Sequence, residues 1–375
     1  MRLLGIFISF WLVSCASTKE LKEHCKSGLA IGDSCKPFRV GMISLNPDLD
    51  RDKPIAALAY SGFTIHKGVL VGASSPKFLT GYSLDRDYFV WSLGLGSEVA
   101  GPLAVSGRFA YVCTRKGDLF KVDMVSGKRV WKTSLGRFTD REMAIAQGKV
   151  FLQTSTNQVF AIDAKTGAKK WVYDAGIAGN IVIRNGARPV VKGSHVYIGS
   201  FKGDIHVVNK DTGKLAKKIT KKKSGARFSD VMGEMVVQSG QVLYSTYDGV
   251  VAKVRVFSGG QTVWKKVLKN AATSTYHSGT YYVGSLNGDI HALKSSDGKT
   301  RFKASLSQPV LSLTVKNDTL FAIGSKGLIL AINTKNGKTQ WVDHLHSDLD
   351  PRPTFYKDYA YFPTGLASLY TYKIK

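Results

Sequence analysis

Six stretches of this 375-residue chain repeat one pattern, and that repetition constrains the fold more than any other feature. Apolar and polar residues alternate, a turn containing glycine follows, and an anchor residue stands four positions after the glycine. GDLFKVDMVSGKRVW ends at Trp131 and NQVFAIDAKTGAKKW at Trp171. GDIHVVNKDTGKLAK ends at Lys217, GVVAKVRVFSGGQTVW at Trp264, GDIHALKSSDGKTRF at Phe302 and GLILAINTKNGKTQW at Trp341. Counted from Trp91, the gaps between anchors are 40, 40, 46, 47, 38 and 39. One four-stranded propeller blade takes roughly 40–45 residues. The alternation within YYVGS and GDIHALK is that of strands, and the turn glycines supply positive φ to hairpins.

Seven units are visible when the weaker one ending at Trp91 is counted. The C-terminal stretch TFYKDYAYFPTGLASLYTYKIK holds three more strand-like runs and no fourth. The N-terminal run PFRVGMISL, Pro37 to Leu45, is strand-like and has no blade of its own. The expected fold is therefore all-β: an eight-bladed β-propeller of four-stranded antiparallel blades, its ring closed by an N-terminal strand. Closure removes the open edges that invite aggregation. A seven-bladed ring with loose ends is the competing arrangement. The repeated Trp is expected to pack between neighbouring blades. The repeats run through the chain, so residues 37–375 read as one propeller domain.

The first 14 residues, MRLLGIFISFWLVS, read as a signal peptide. Arg2 is its positive start, and Leu3 to Val13 is too short to span a bilayer. Leu12-Val13-Ser14-Cys15 resembles a bacterial lipobox, which makes Cys15 the expected lipidated residue and 15–36 a tether. Ala16, in place of Asp, favours the outer membrane by the rule for such lipoproteins. Cys25 and Cys35 are expected to pair in an oxidising compartment. Cys113 in YVCT is expected to be buried and unpaired.

Lys and Arg number 53 against 27 Asp and Glu, a net charge of +26. Such an excess suits an anionic lipid, an anionic envelope polymer or an acidic partner, or it is a solvated surface. No nucleic-acid recognition motif is present. The longest basic run is KKITKKK, Lys217 to Lys223.

Signals for catalysis are weak. No Ser-His-Asp order or phosphate loop stands out. Asp48, Asp50 and Asp52 begin like a calcium loop, but Lys53 and Ala59 stand where Gly and Glu belong. His344, His346, Asp348 and Asp350 could hold a metal from a blade-to-blade loop. His206 and His291 share one slot of the repeat. No cofactor and no enzymatic activity are expected.

The pattern AIDAKTGAKKW resembles the repeats of quinoprotein dehydrogenases, which imply pyrroloquinoline quinone and calcium. Their adjacent Cys pair is absent here. The same repeat, the lipobox and the chain length resemble the BamB family of lipoproteins of the outer-membrane β-barrel assembly machinery. That resemblance implies a non-catalytic scaffold that binds the periplasmic domains of the BamA insertase, with unfolded outer-membrane proteins as further partners and a monomer within a complex. A quinoprotein dehydrogenase or a binder of an anionic envelope polymer is the alternative.

Spacing points to a face independently. From each anchor to the next Gly-Asp position the distances are 26, 26, 32, 32, 24 and 25. The long ones start at Trp171 and Lys217, so two adjacent blade-to-blade connections carry extra residues. Insertions gathered on one face of a repeat fold mark a binding face. NIVIRNGARPV and RFSDVMGEMVV there resemble the family's partner-contacting segments. The resemblance implies Ile181, Ile183, Arg184 and Asp230 as contact residues. Met232 stands where the family has a second Asp. An ordinary inner strand with a solvated Arg184 is the competing reading.

Overall fold

The computed structural model describes residues 39–44, 62–75, 77–176, 186–220, 228–345, 352–364 and 368–374. Its 32 strands, numbered in chain order, form eight four-stranded sheets. Blades 1 to 7 span residues 63–94, 104–134, 144–174, 190–219, 231–267, 271–305 and 310–344. In each, the strands pair antiparallel in sequence order. Blade 8 takes β30 (Thr354–Tyr356), β31 (Tyr359–Pro363) and β32 (Ser368–Lys373) from the C-terminal end. Its fourth strand is β1 (Arg39–Ser44), which pairs antiparallel with β32 in the register Met42 to Tyr370. The ring is thus closed by the N-terminal strand, and the seven-bladed alternative falls. The only helix among the described residues is a 3₁₀ turn at Ser325–Gly327.

The core is divided among the blade junctions. Eight apolar clusters each join one blade to the next. The cluster of Leu70, Tyr82, Tyr361 and Leu369 joins blade 8 back to blade 1. Middle-strand residues such as Val112, Leu119, Ile198 and Ile329 are wholly buried, so each sheet presents apolar side chains on both faces. At roughly 25 cal/mol per Å² of apolar area, junction burial is the main favourable term.

The motif has a mechanical explanation at these junctions. The indole Nε1 of Trp91 donates to the carbonyl of Met124 at 3.0 Å, and Trp131 reaches Ala164 at 3.3 Å. Trp171 reaches Lys210 at 2.9 Å and Trp264 reaches Ser295 at 3.2 Å. Each of these four tryptophans therefore docks on the hairpin of the following blade, whereas Trp341 stacks on Tyr372 of blade 8. The hairpin's acidic or amide residue stiffens it: the Asp163 carboxylate accepts the N–H groups of Lys165 and Thr166, both at 2.9 Å. Those bonds hold Asp163 down to about 2. Lys217 lacks an indole, and Ile219 covers the next hairpin at Gly260 in its place.

Candidate docking face

The two long connections run through residues 175–189 and 220–230 and flank blade 4. Blade-to-blade connections lead from an outer strand to the next inner strand, so all leave the ring on one face. Ile181, Ile183 and Arg184 lie outside the described residues, as do Cys15, Cys25 and Cys35. Gly186 forms a bridge with Met232 of β18 (Val231–Gln238), and the Ala187 N–H donates to the Val231 carbonyl at 2.9 Å. Met232, at the position of the family's second Asp, is buried.

Asp230 ends the second connection. Only 3% of it is exposed, so its carboxylate lies beneath the face. Its carbonyl accepts the Tyr247 N–H at 2.9 Å, which fixes the chain at the start of β18. Burial pushes its carboxyl up to about 6, against the opposing pull of Arg141; the nearby Asp140 adds to the rise.

Arg141 is the cation beside it, and sequence reading missed it. It belongs to the connection between blades 2 and 3 and is buried. Its Nη1 donates to Gln153 Oε1 at 3.1 Å, to the Gly199 carbonyl at 3.2 Å and to the Ala187 carbonyl at 3.4 Å. Its guanidinium lies 4.4 Å from the Phe201 ring centroid. Burial lowers it to about 10, so it stays charged at neutral pH. A Cβ at Gly186 would stand 2.1 Å from Cζ of Arg141, so only glycine fits there. One side chain thus ties blades 3 and 4 to the end of the first long connection and lies close enough to Asp230, at the end of the second, to act on its carboxyl. Among the described residues, Nε and Nη2 of Arg141 and Oδ1 of Asp140 and Asp230 have no hydrogen-bond partner. The next residue, Glu142, faces the ring axis.

At the axis, a cavity of about 290 Å³ is lined by Glu142, Arg188, Glu234, Ser274, Ser312 and Arg352, among others. Glu142 accepts from Arg352 Nη1 at 2.6 Å and from Arg188 Nη1 at 2.9 Å. Burial would raise its carboxyl, but Arg352 and Arg188 overcome this and hold it below its usual range. The only sequence signal for this pair of sites was the charged triplet Asp140-Arg141-Glu142 inside an otherwise short connection.

The remaining candidates separate. His344 lies on β29 (Thr339–His344), its Nε2 2.8 Å from the Lys326 carbonyl. His346, Asp348 and Asp350 lie outside the described residues, as do Asp48, Asp50 and Asp52. Among the described residues no three His, Cys, Asp or Glu side chains gather as a metal site. His206 and His291 sit at equivalent register, opposite Lys218 and Lys303, as a repeat echo. Cys113 is free and buried, its thiol pushed up to about 12 by burial. Among the described residues no helix is long and apolar enough to cross a membrane.

Comparison with known proteins gives a consistent picture. A family model described as "Outer membrane protein assembly factor BamB" matches residues 80–275 and 253–375. The outer membrane protein assembly factor BamB of Moranella endobia is 23% identical over 266 residues, 69% of this chain and 68% of that protein. The quinoprotein alcohol dehydrogenase PedH of Pseudomonas putida is 32% identical over 166 residues, 40% of this chain but 27% of that enzyme. The crystal structure of BamB from Moraxella catarrhalis superposes with a TM-score of 0.75 at 18% identity, covering 90% of this chain and 100% of that one. That last likeness is one of fold.

Proposed function

This chain belongs to the family of the outer membrane protein assembly factor BamB, and from that premise we propose that it is a non-catalytic scaffold in the assembly of outer-membrane β-barrel proteins. In this reading it binds the periplasmic domains of a BamA-like insertase through the face that carries residues 175–189 and 220–230. Ile181 and Ile183 supply a small apolar contact, and Arg184 supplies a forked donor. Asp230 works from below. Arg141 bonds the end of the first connection at Ala187 and the Asp230 backbone fixes the end of the second through Tyr247, so that what they display is pre-set and little ordering is needed on binding. Cys15 carries the lipid that keeps the propeller at the periplasmic face of the outer membrane. Cys25 and Cys35 pair within the tether, and the chain is a monomer within its complex. Unfolded barrel proteins are further partners, held by strand addition at exposed edges.

The observation that carries this reading is that residues 175–189 and 220–230, longer than the other connections met in sequence from blade 1 to blade 8, are neighbours on one face, and one buried arginine donates to the end of the first and lies near the end of the second. The test is co-purification from detergent-solubilised membranes with a tag on this chain. The insertase should be recovered with wild type and lost with an Ile183→Glu, Arg184→Glu variant that remains folded. Equal recovery with the variant would move the contact elsewhere. Recovery with neither would leave a likeness of fold alone.

A further inference from the structure

The basic residues of the outer strands are not spread evenly around the ring. The outer strands of blades 2 to 6 are β9 (Arg129–Ser134), β13 (Lys169–Asp174), β17 (Leu215–Ile219), β21 (Gln261–Val267) and β25 (Thr300–Ser305). Each carries two basic residues. They are Arg129 and Lys132 on β9, Lys169 and Lys170 on β13, and Lys217 and Lys218 on β17. Lys265 and Lys266 follow on β21, and Arg301 and Lys303 on β25. Asp174 is the only acidic residue on these five strands. The outer strands of the two blades that flank them, β5 (Tyr88–Gly94) and β29, carry no Lys or Arg. The run KKITKKK belongs to this arc, since its first two lysines are on β17.

Three of the ten basic residues are ion-paired: Lys132 with Asp118, Lys170 with Asp163 and Lys218 with Asp204, with the lysines 43–46% exposed. Such half-exposed pairs are weak and leave the lysine available. The other seven make no salt bridge among the described residues. Edge protection accounts for some lysine on any outer strand. It does not account for two basic residues on each of five consecutive edges and none on either neighbour, because all edges face the same hazard.

We propose that this arc binds a flexible, linear polyanion that wraps the side wall of the propeller. Shape decides the partner. Each blade turns the wall by one eighth of a circle, so five blades sweep more than half the circumference. A flat bilayer can touch the walls of one or two adjoining blades at a time. A flexible chain of anionic groups follows the curve and meets every basic pair in turn. Lysine suits this task as a point charge that accepts an anion from many directions. The arc lies on the side wall, away from the face of the long connections, and the proposal does not rest on the scaffold reading.

The test is a titration of the full chain with long-chain polyphosphate, with tripolyphosphate and with phosphatidylglycerol vesicles. Long polyphosphate is expected to bind at least tenfold more tightly than tripolyphosphate and to lose affinity as salt rises. The variant Lys169→Gln, Lys217→Gln, Lys265→Gln, Lys303→Gln should lower the slope of log affinity against log salt by about 0.7 per lysine removed. A control of equal net charge, Lys67→Gln, Lys326→Gln, Lys338→Gln, Lys357→Gln, changes only blades 1, 7 and 8 and should leave the slope unchanged. Equal loss in both variants would reduce the effect to net charge and overturn the proposal. Equal affinity for the short and long phosphates would overturn wrapping. Tighter, arc-dependent binding to the vesicles would assign the arc to a membrane instead.

Discussion

The indole of Trp91 occupies the space that a side chain at Gly127 would need: a Cβ built there stands 2.5 Å from the ring. Gly127 also has φ of 68°. The same contact recurs between Trp131 and Gly167, Trp171 and Gly213, and Trp264 and Gly298. Glycine is thus required twice over, by the hairpin and by the neighbouring blade's tryptophan. The two halves of the sequence repeat touch each other across every such junction.

Gly127→Ala should therefore cost about 2–5 kcal/mol, the sum of left-handed strain and overpacking. Gly107→Ala is the control, because Gly107 has φ of 57° and no atom within 4 Å of the added Cβ. It should cost about 1 kcal/mol, for strain alone. Urea unfolding of both variants measures the difference, and equal costs would remove the indole contact from the account.

Arg141→Met takes the cation from beside the buried Asp230 carboxylate. The expected cost is roughly 3–5 kcal/mol. Asp230→Asn in the same chain should recover part of it, since the neutral amide needs no counter-charge. A double-mutant cycle tests the coupling. Strict additivity would mean that the two residues do not act as a unit.

Asp230 also predicts a pH dependence. Its folded-state value, about 6, lies above the ordinary carboxylate value. The folded chain then binds the proton more tightly than the unfolded one, so this group's contribution is fully present below about 4 and is lost as pH rises through about 6. Wild type should lose more stability than Asp230→Asn between pH 5 and pH 7, read from denaturant midpoints at the two pH values. Parallel profiles would contradict the buried, desolvated placement.

Glu142 has the opposite sign. Arg352 and Arg188 hold its carboxyl below the usual range, so its contribution is present above about 4 and is lost as pH falls further. Glu142→Gln should cost roughly 2–3 kcal/mol at neutral pH, because two arginines lose their carboxylate partner. The loss should shrink in acid. A pH-independent cost would point to packing.

The architecture was legible in the sequence because its repeat is local. Alternation, turn glycines and anchors all fall within one blade, and the missing fourth strand pointed to Arg39–Ser44 as the closing strand. The insertion arithmetic located the long connections on either side of blade 4 but did not count residues 45–62, which join blade 8 to blade 1 and are longer. The polar lacing beneath them was not legible. Arg141 meets Gly199 over 58 residues of chain, and Glu142 meets Arg352 over 210. No local pattern records such distances. Asp230 sits in a segment that reads as polar, and its buried neighbours come from elsewhere in the chain, with Arg141 in the connection before blade 3 and Tyr247 in blade 5. Lys217 concealed an anchor for a related reason, since Ile219 takes over the contact two residues later.

Docking of the insertase on the connections that flank blade 4 is tested by the affinity of the purified chain for purified BamA-like periplasmic domains, beside the Ile183→Glu, Arg184→Glu variant at matched fold stability. Saturable binding by wild type, weakened at least tenfold in the variant, about 1.4 kcal/mol or more, is the predicted result. Binding of equal strength by the two proteins, or by neither, would contradict it.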